Sequence, residues 1–295
     1  MNAPSHQDTD LSPEIDDNLD YRTFSYATAS DPFLKRLVIR TIERLTGQIK
    51  VWRLYNEYKN EARPPGETFW EAACRKLELE LDYDEELLKK APGKGPLIMV
   101  ANHPYGVLDG LILCHLISKI RPDFKVLTNS VLTRSPEVKD HLLPIDFTGT
   151  PDALKTNLTS RKIARETLRN GGAIAAFPAG GVSNITRLTD KVAKDVEWQP
   201  FIGQLIRQNK ATVLPVYFHG QNSRLFQIAS LSSLTLRLSL FFRELVRQMN
   251  TRIRVEIGHP IAYHDLAHHD SPHDLIAELR GITYALGHNK NGASR

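Results

Sequence analysis

Apolar residues between positions 31 and 59 fall at Leu34, Leu37, Val38, Ile42 and Leu45, in steps of three and four. That spacing predicts one amphipathic helix. A second helical stretch over 67–90 is set off by Pro64-Pro65-Gly66 before it and Pro92-Gly93 after it. From there the pattern changes to short apolar runs at 96–101, 124–128, 173–177, 212–218 and 253–257, most of them separated by enough chain for a crossover helix. One such helix is well marked: Thr150 can cap it, Pro151 suits its first position, Asp152 favours its positive end, and Gly171-Gly172 closes it. These features predict an α/β fold, a mostly parallel central sheet covered by helices with an N-terminal helical extension. The expected division is a disordered lead-in over 1–25, the helical extension over 26–92, the α/β domain over 93–285 and a flexible tail over 286–295. Residues 231–249 fit two patterns. Leu231, Leu234, Leu238, Phe241, Phe242, Leu245 and Met249 share a helical stripe, while Leu234, Leu236, Leu238 and Leu240 alternate like a strand.

Composition narrows the class. A hydrophobic fraction of 41% and a charged fraction of 24% are those of a soluble globular protein. Cys74 and Cys114 are too few for a disulfide framework and lack metal-ligand spacing, so they read as structural thiols. The polar, acidic start has no signal-peptide form, and no stretch approaches the roughly 18–20 apolar residues of a membrane-spanning helix. Membrane contact, if made, is therefore expected to be peripheral, on the cytoplasmic side. The net charge of +4 is unevenly spread: residues 221–254 hold six arginines against Glu244 alone, and residues 31–59 hold seven Lys/Arg against three acids. Basic amphipathic segments suit an anionic membrane surface; a helix solvating its arginines is the alternative. The clusters lack a nucleic-acid-binding motif, so no nucleic-acid partner is expected.

Three polar, glycine-containing segments leave these strands: NHPYGVLD after the first, FPAGGVSN after the third and HGQNSRLF after the fourth. In open α/β sheets ligands bind outside the carboxyl ends of the strands, which points to a single site. His103 is the natural general base, since an imidazole titrates near neutrality. Asp109 can hold one ring nitrogen and leave the other to act. No serine or cysteine stands in a nucleophile elbow, so direct attack by a substrate hydroxyl is favoured. Gly180 and Gly181 allow backbone amides to approach a phosphate or a developing oxyanion. Asn102, Ser183, Asn222 and Arg224 complete the substrate-binding candidates, although Asn102 also suits a turn, Ser183 a helix cap and Arg224 a carboxylate partner. The run HDLAHHDSPHD from His264 offers His264, His268, His269 and His273. A solvated helix start accounts for it, and no metal or other cofactor is expected.

The blocks NHPYGVLDG, LPIDFTGT, FPAGGVS and VLPVYFHGQNSRLF, in that order over residues 90–262, resemble the glycerolipid (lysophosphatidate and lysophospholipid) acyltransferases, and more closely their bacterial hemolysin-like and lyso-ornithine-lipid branch. The resemblance implies that His103 acts on the acceptor hydroxyl, that Asp109 orients it, and that the third block binds the acceptor head group. It also implies a lysolipid acceptor of lysophospholipid or lyso-ornithine-lipid type and an acyl donor that is acyl-CoA or acyl carrier protein. Two departures stand out. Five residues separate His103 from Asp109 where the family usually has four, and Ala179 replaces the Glu of the usual Phe-Pro-Glu-Gly. A hydrolase using the same His-Asp pair, and a non-catalytic lipid-binding scaffold, are the competing functions.

Overall fold

The computed structural model describes residues 25–27, 31–129, 137–146 and 150–288. Most of the expected lead-in and tail, and residues 147–149 of the second block, lie outside these. The described strands are β1 (Glu80–Asp82), β2 (Leu97–Ala101), β3 (Phe124–Asn129), β4 (Leu142–Ile145), β5 (Ala173–Ala176), β6 (Thr212–Phe218) and β7 (Arg252–Ile257). The helices are α1 (Phe33–Thr46), α2 (Gln48–Asn60), α3 (Phe69–Lys76), α4 (Glu85–Lys89), α5 (Val107–Ser118), α6 (Pro151–Arg169), α7 (Pro200–Asn209), α8 (Arg224–Ser232), α9 (Leu234–Ser239), α10 (Phe241–Arg247), α11 (Tyr263–Leu266) and α12 (Pro272–Leu286).

The strands form one sheet in the order β1-β7-β6-β2-β5-β3-β4, and every neighbouring pair is parallel except β6 with β7. The expected mostly parallel α/β architecture is what the chain adopts. Every residue of β2 and β5 is buried, because helices cover both faces and leave no side for alternating polar residues. The pleat of β2 divides the core. Leu97, Met99 and Ala101 face one cluster with α3 and α5, while Ile98 and Val100 face another with α6, α7 and α12. Each large aliphatic side chain buried this way contributes about 1.5–3 kcal/mol. Cys74 and Cys114 are free and buried in the first cluster, and burial pushes the Cys74 thiol up to about 12.

Helix α6 starts as expected: Thr150 Oγ1 accepts from Ala153 N at 3.1 Å and Pro151 sits in the first turn. The expected single helix over 31–59 is two helices, divided at Gly47, whose φ of +151° lies in a region L side chains avoid. A methyl there would also come within 2.8 Å of Phe242 O. Residues 67–90 are not continuously helical either. Helix α3 stops at Leu77, Glu78 turns the chain at φ +52°, and β1 then pairs with Arg252–Arg254 at the sheet's edge. The ambiguous 231–249 segment is helical, broken at Ser233 with extended backbone and again at Leu240. Its Leu240, Phe241 and Phe242 join Ile39 of α1, Phe226 of α8 and Val182 in a third apolar cluster.

Candidate active site

Three strand exits meet at one edge. At the end of β2, Asn102 continues the sheet with its side chain: Nδ2 donates to Phe218 O at 3.0 Å and Phe218 N donates to Oδ1 at 2.7 Å. The carboxamide thus imitates one more peptide unit of the ladder, as β2 leaves β6.

The chain then turns through His103 and Pro104 to Gly106, whose φ is +93°. A Cβ there would lie 2.7 Å from the Phe241 ring and 3.2 Å from Val182, so the position requires glycine for both its backbone and its packing. Helix α5 begins at the next residue and places Asp109 in its first turn, where a carboxylate is favoured by the helix dipole. Asp109 is fully buried. Its Oδ2 accepts from Tyr105 N at 2.8 Å, and its Oδ1 lies 3.0 Å from His103 Nδ1. That second contact has ion-pair distance but is off the line of a well-directed hydrogen bond. The His103 ring stacks on Phe177 at the end of β5, with centroids 3.9 Å apart and planes 19° from parallel. Sixteen per cent of the side chain reaches solvent. With Nδ1 turned to the carboxylate, Nε2 is the nitrogen left for chemistry.

The glycine-rich exit is fastened to this turn. Ser183 N donates to His103 O at 2.7 Å, and the Ser183 hydroxyl donates to Asp195. Asp195, not among the residues singled out from the sequence, is a buried carboxylate that also accepts from His103 N at 3.2 Å and Trp198 Nε1 at 2.9 Å. Burial pushes its pKa up, and the three donors act in the opposite direction. Ser183 is therefore a fastening of the His103 loop and neither a helix cap nor a free hydroxyl. Gly180 turns the chain at φ +70°, and Gly181 has open space where a side chain would be. Ala179 is buried in the second core cluster, so the position occupied by Glu in the usual family block is here a packing position.

The third exit closes the edge. Tyr105 Oη donates to His219 O at 2.8 Å, and Asn222 Nδ2 donates to Tyr105 O at 3.2 Å. Asn222 Oδ1 is buried without a partner among the described residues. Arg224 is exposed and donates to Leu188 O and Asp190 O at 2.7 and 2.6 Å, bracing a loop without a carboxylate partner among the described residues.

Four of the six arginines of the 221–254 stretch face carboxylates, so the stretch is not a uniformly free basic face. Arg243 lies 2.6 Å and Arg247 3.7 Å from buried Glu244, Arg254 pairs with Glu256 at 2.7 Å, and Arg252 faces Glu80 and Asp82. Arg237 is partly buried and donates to Val182 O at 2.9 Å. In the histidine run, His264 faces Asp265 and His273 faces Glu197, while His268, His269 and Glu278 bring ligating atoms within 4.8 Å of one another.

The arrangement joins a histidine, a buried carboxylate behind it and a glycine-rich loop at a sheet edge, a constellation suited to removing a proton from a hydroxyl. A family model described as Acyltransferase matches residues 24–293. A lyso-glycine lipid O-acyltransferase of Bacteroides thetaiotaomicron is 25% identical over 264 residues, covering 86% of this chain and 91% of that protein. One from Phocaeicola vulgatus is 23% identical over 264 residues, covering 86% and 89%. The crystal structure of the 1-acyl-sn-glycerophosphate acyltransferase from Thermotoga maritima matches with a TM-score of 0.49 at 14% identity, over 93% of this chain and 88% of that one. With the family match spanning the fold and all three exits, the chain belongs to the acyltransferase family.

Proposed function

We propose that this acyltransferase moves a fatty acyl group from a thioester, acyl-CoA or acyl carrier protein, to the hydroxyl of a lysolipid at a membrane surface. The observation that carries the reading is the His103–Asp109 pair at 3.0 Å, with Asp109 wholly buried and His103 partly exposed. In the reaction the acceptor hydroxyl attacks the thioester carbonyl as His103 Nε2 takes its proton. The new C–O bond forms a tetrahedral oxyanion; the Gly180 N–H, already donated to Phe177 O at 3.0 Å, is not available to it. Collapse breaks the C–S bond, and the departing thiolate recovers the proton from His103. The Asp109 carboxylate, 3.0 Å from Nδ1, stabilises the transient imidazolium.

The relatives' names favour an acceptor headed by an amino acid. Access to it at a membrane is supported by an exposed apolar surface: Phe33, Leu34 and Leu37 on α1, Ile228 and Leu231 on α8, and Leu234 on α9. Helix α9 packs against both α1 and α8, and Lys35, Arg36, Arg40 and Arg44 give α1 the charge that suits an anionic leaflet. No helix among the described residues is long and apolar enough to cross a membrane. The test is thiol release from acyl-CoA by the purified protein with and without lysolipid. Release that requires acceptor and yields a diacyl product supports transfer; equal release without acceptor makes the protein a hydrolase.

A further inference from the structure

Arg237 stands apart from the ion-paired arginines near the site and, unlike the exposed Arg224, is partly buried. Its guanidinium sits against the glycine-rich loop, where Nη2 donates to Val182 O at 2.9 Å. Asn184 holds the other side, with its amide turned so that Oδ1 accepts from Nη1 at 3.0 Å and Nδ2 donates to Ser183 O at 3.2 Å. Every partner of the charge in these contacts is neutral. Arg243, Arg247, Arg252 and Arg254 each face a carboxylate, whereas Arg237 makes no ion pair among the described residues. Burial pulls its pKa below the ordinary arginine value, with no carboxylate acting against it. A desolvated cation without a counter-charge is costly, and a guanidinium has five donors, only some of which the loop uses. A space lies beside it: a Cβ on Gly181 would meet nothing closer than Arg237 Nη2, at 3.9 Å.

We infer that Arg237, with the open backbone at Gly181, is the recognition point for an oxyanion on the acceptor's head group. The inference rests on the lysolipid acyltransferase reading and gives that site its anion specificity. The loop that carries the anion is the one whose Ser183 N–H holds His103 O, so a head group anchored at Gly181 places the rest of the acceptor beside the base. The shared chemistry is a carboxylate, as on an N-acylated glycine, or a phosphate monoester. Asn184 and Val182 position the guanidinium and do not touch the ligand.

The experiment compares three acceptors at saturating acyl-CoA: an N-(β-hydroxyacyl)glycine, its methyl ester, and lysophosphatidate. KM and kcat are measured for wild type, Arg237→Ala, Arg237→Lys and Gly181→Val. In the wild type the preferred anionic acceptor has the lower KM, and whether that is the carboxylate or the phosphate identifies the head group. Losing a hydrogen bond to a charged group corresponds to a roughly ten- to hundredfold rise in KM, so Arg237→Ala brings the preferred anion to the level of the neutral ester. The donor KM and the turnover of the ester stay within about twofold, and Arg237→Lys recovers part of the loss because it keeps the charge but not the planar fork. Gly181→Val, placed where no atom obstructs a side chain, gives the same selective loss with the arginine intact and serves if the Arg237 variants do not fold. An anion-over-ester preference retained in Arg237→Ala or in Gly181→Val overturns the proposal, as does a wild type without that preference. Absence of acceptor-dependent transfer by the wild type with all three acceptors instead overturns the reading on which it rests.

Discussion

Replacing Asn102 by alanine separates two roles that its position allows, holding the strand ends and binding substrate. The register of β2 with β6 runs from Leu97↔Thr212 to Ala101↔Val216. Beyond it the Asn102 carboxamide both donates to and accepts from the backbone of Phe218. Asn102 is 3% exposed and Phe218 is fully buried, so alanine leaves one buried N–H and one buried C=O without their partner. Each unsatisfied group costs about 1–3 kcal/mol, giving roughly 2–6 kcal/mol before any water enters the vacated space. We expect a loss of about 2–4 kcal/mol, against a total stability of roughly 5–15 kcal/mol for a native domain, so the variant remains folded at room temperature. Urea unfolding monitored by tryptophan fluorescence measures the loss, with an unchanged m-value showing that the same surface is exposed. The acceptor KM should stay near the wild-type value while kcat falls, because the residue after Asn102 is the proposed base. A stability change under about 1 kcal/mol would refute the ladder argument, and a raised acceptor KM without destabilisation would return Asn102 to the substrate.

His103→Ala should reduce acyl transfer by about 10²–10⁴, the usual contribution of a general base, with the unfolding midpoint little changed; near-normal turnover by a folded variant would remove the proposed chemistry. Asp109→Asn should also lower kcat, by disturbing the tautomer and charge behind His103 Nδ1, with little effect on donor KM. At Gly220, with φ +102°, an alanine methyl would lie 1.8 Å from Tyr105 Oη. Backbone strain of about 1–3 kcal/mol and a lost hydrogen bond of about 1 kcal/mol should together cost roughly 2–4 kcal/mol, read by the same urea titration. For the membrane, Leu34→Glu with Leu37→Glu should abolish cosedimentation with anionic vesicles while preserving turnover on detergent-dispersed acceptor; unchanged cosedimentation of the folded variant would exclude this face.

The buried strands were legible because an all-apolar run between turn residues has few alternatives; β2 and β5 are the clearest cases. Strand β1 was hidden by its sequence, Glu-Leu-Asp, since an edge pairing with β7 demands no apolar face. Strand β4 was hidden by its brevity and by Pro144, which an edge strand tolerates. The His103–Asp109 proximity was legible because both residues lie within one strand-to-helix turn. Asp195 was not: it is one acid in a polar loop, and only the folding of that loop behind His103 gives it three donors. The arginines show the same limit from the other side. Counting charges over 221–254 suggested a basic face, but a single acid folded inward, Glu244, takes two of them, and pairing through space leaves no trace in composition.

The place of β2 in the sheet also sets a timetable for the ribosome. Its two neighbours are β5, which begins at Ala173, and β6, which begins at Thr212. At about 5–20 residues per second of synthesis, the roughly 110 residues between Ala101 and Thr212 take on the order of 6–22 s. Throughout that interval Leu-Ile-Met-Val-Ala is a nascent apolar segment with an unpaired edge, the kind of segment that chaperones bind and that aggregates form around. Edge strand β1, made earlier, waits longer still, since its partner Arg252–Arg254 is among the last strands translated. Codon usage or chaperone supply across residues 101–212 should therefore affect the yield of soluble enzyme more than the same change after β7.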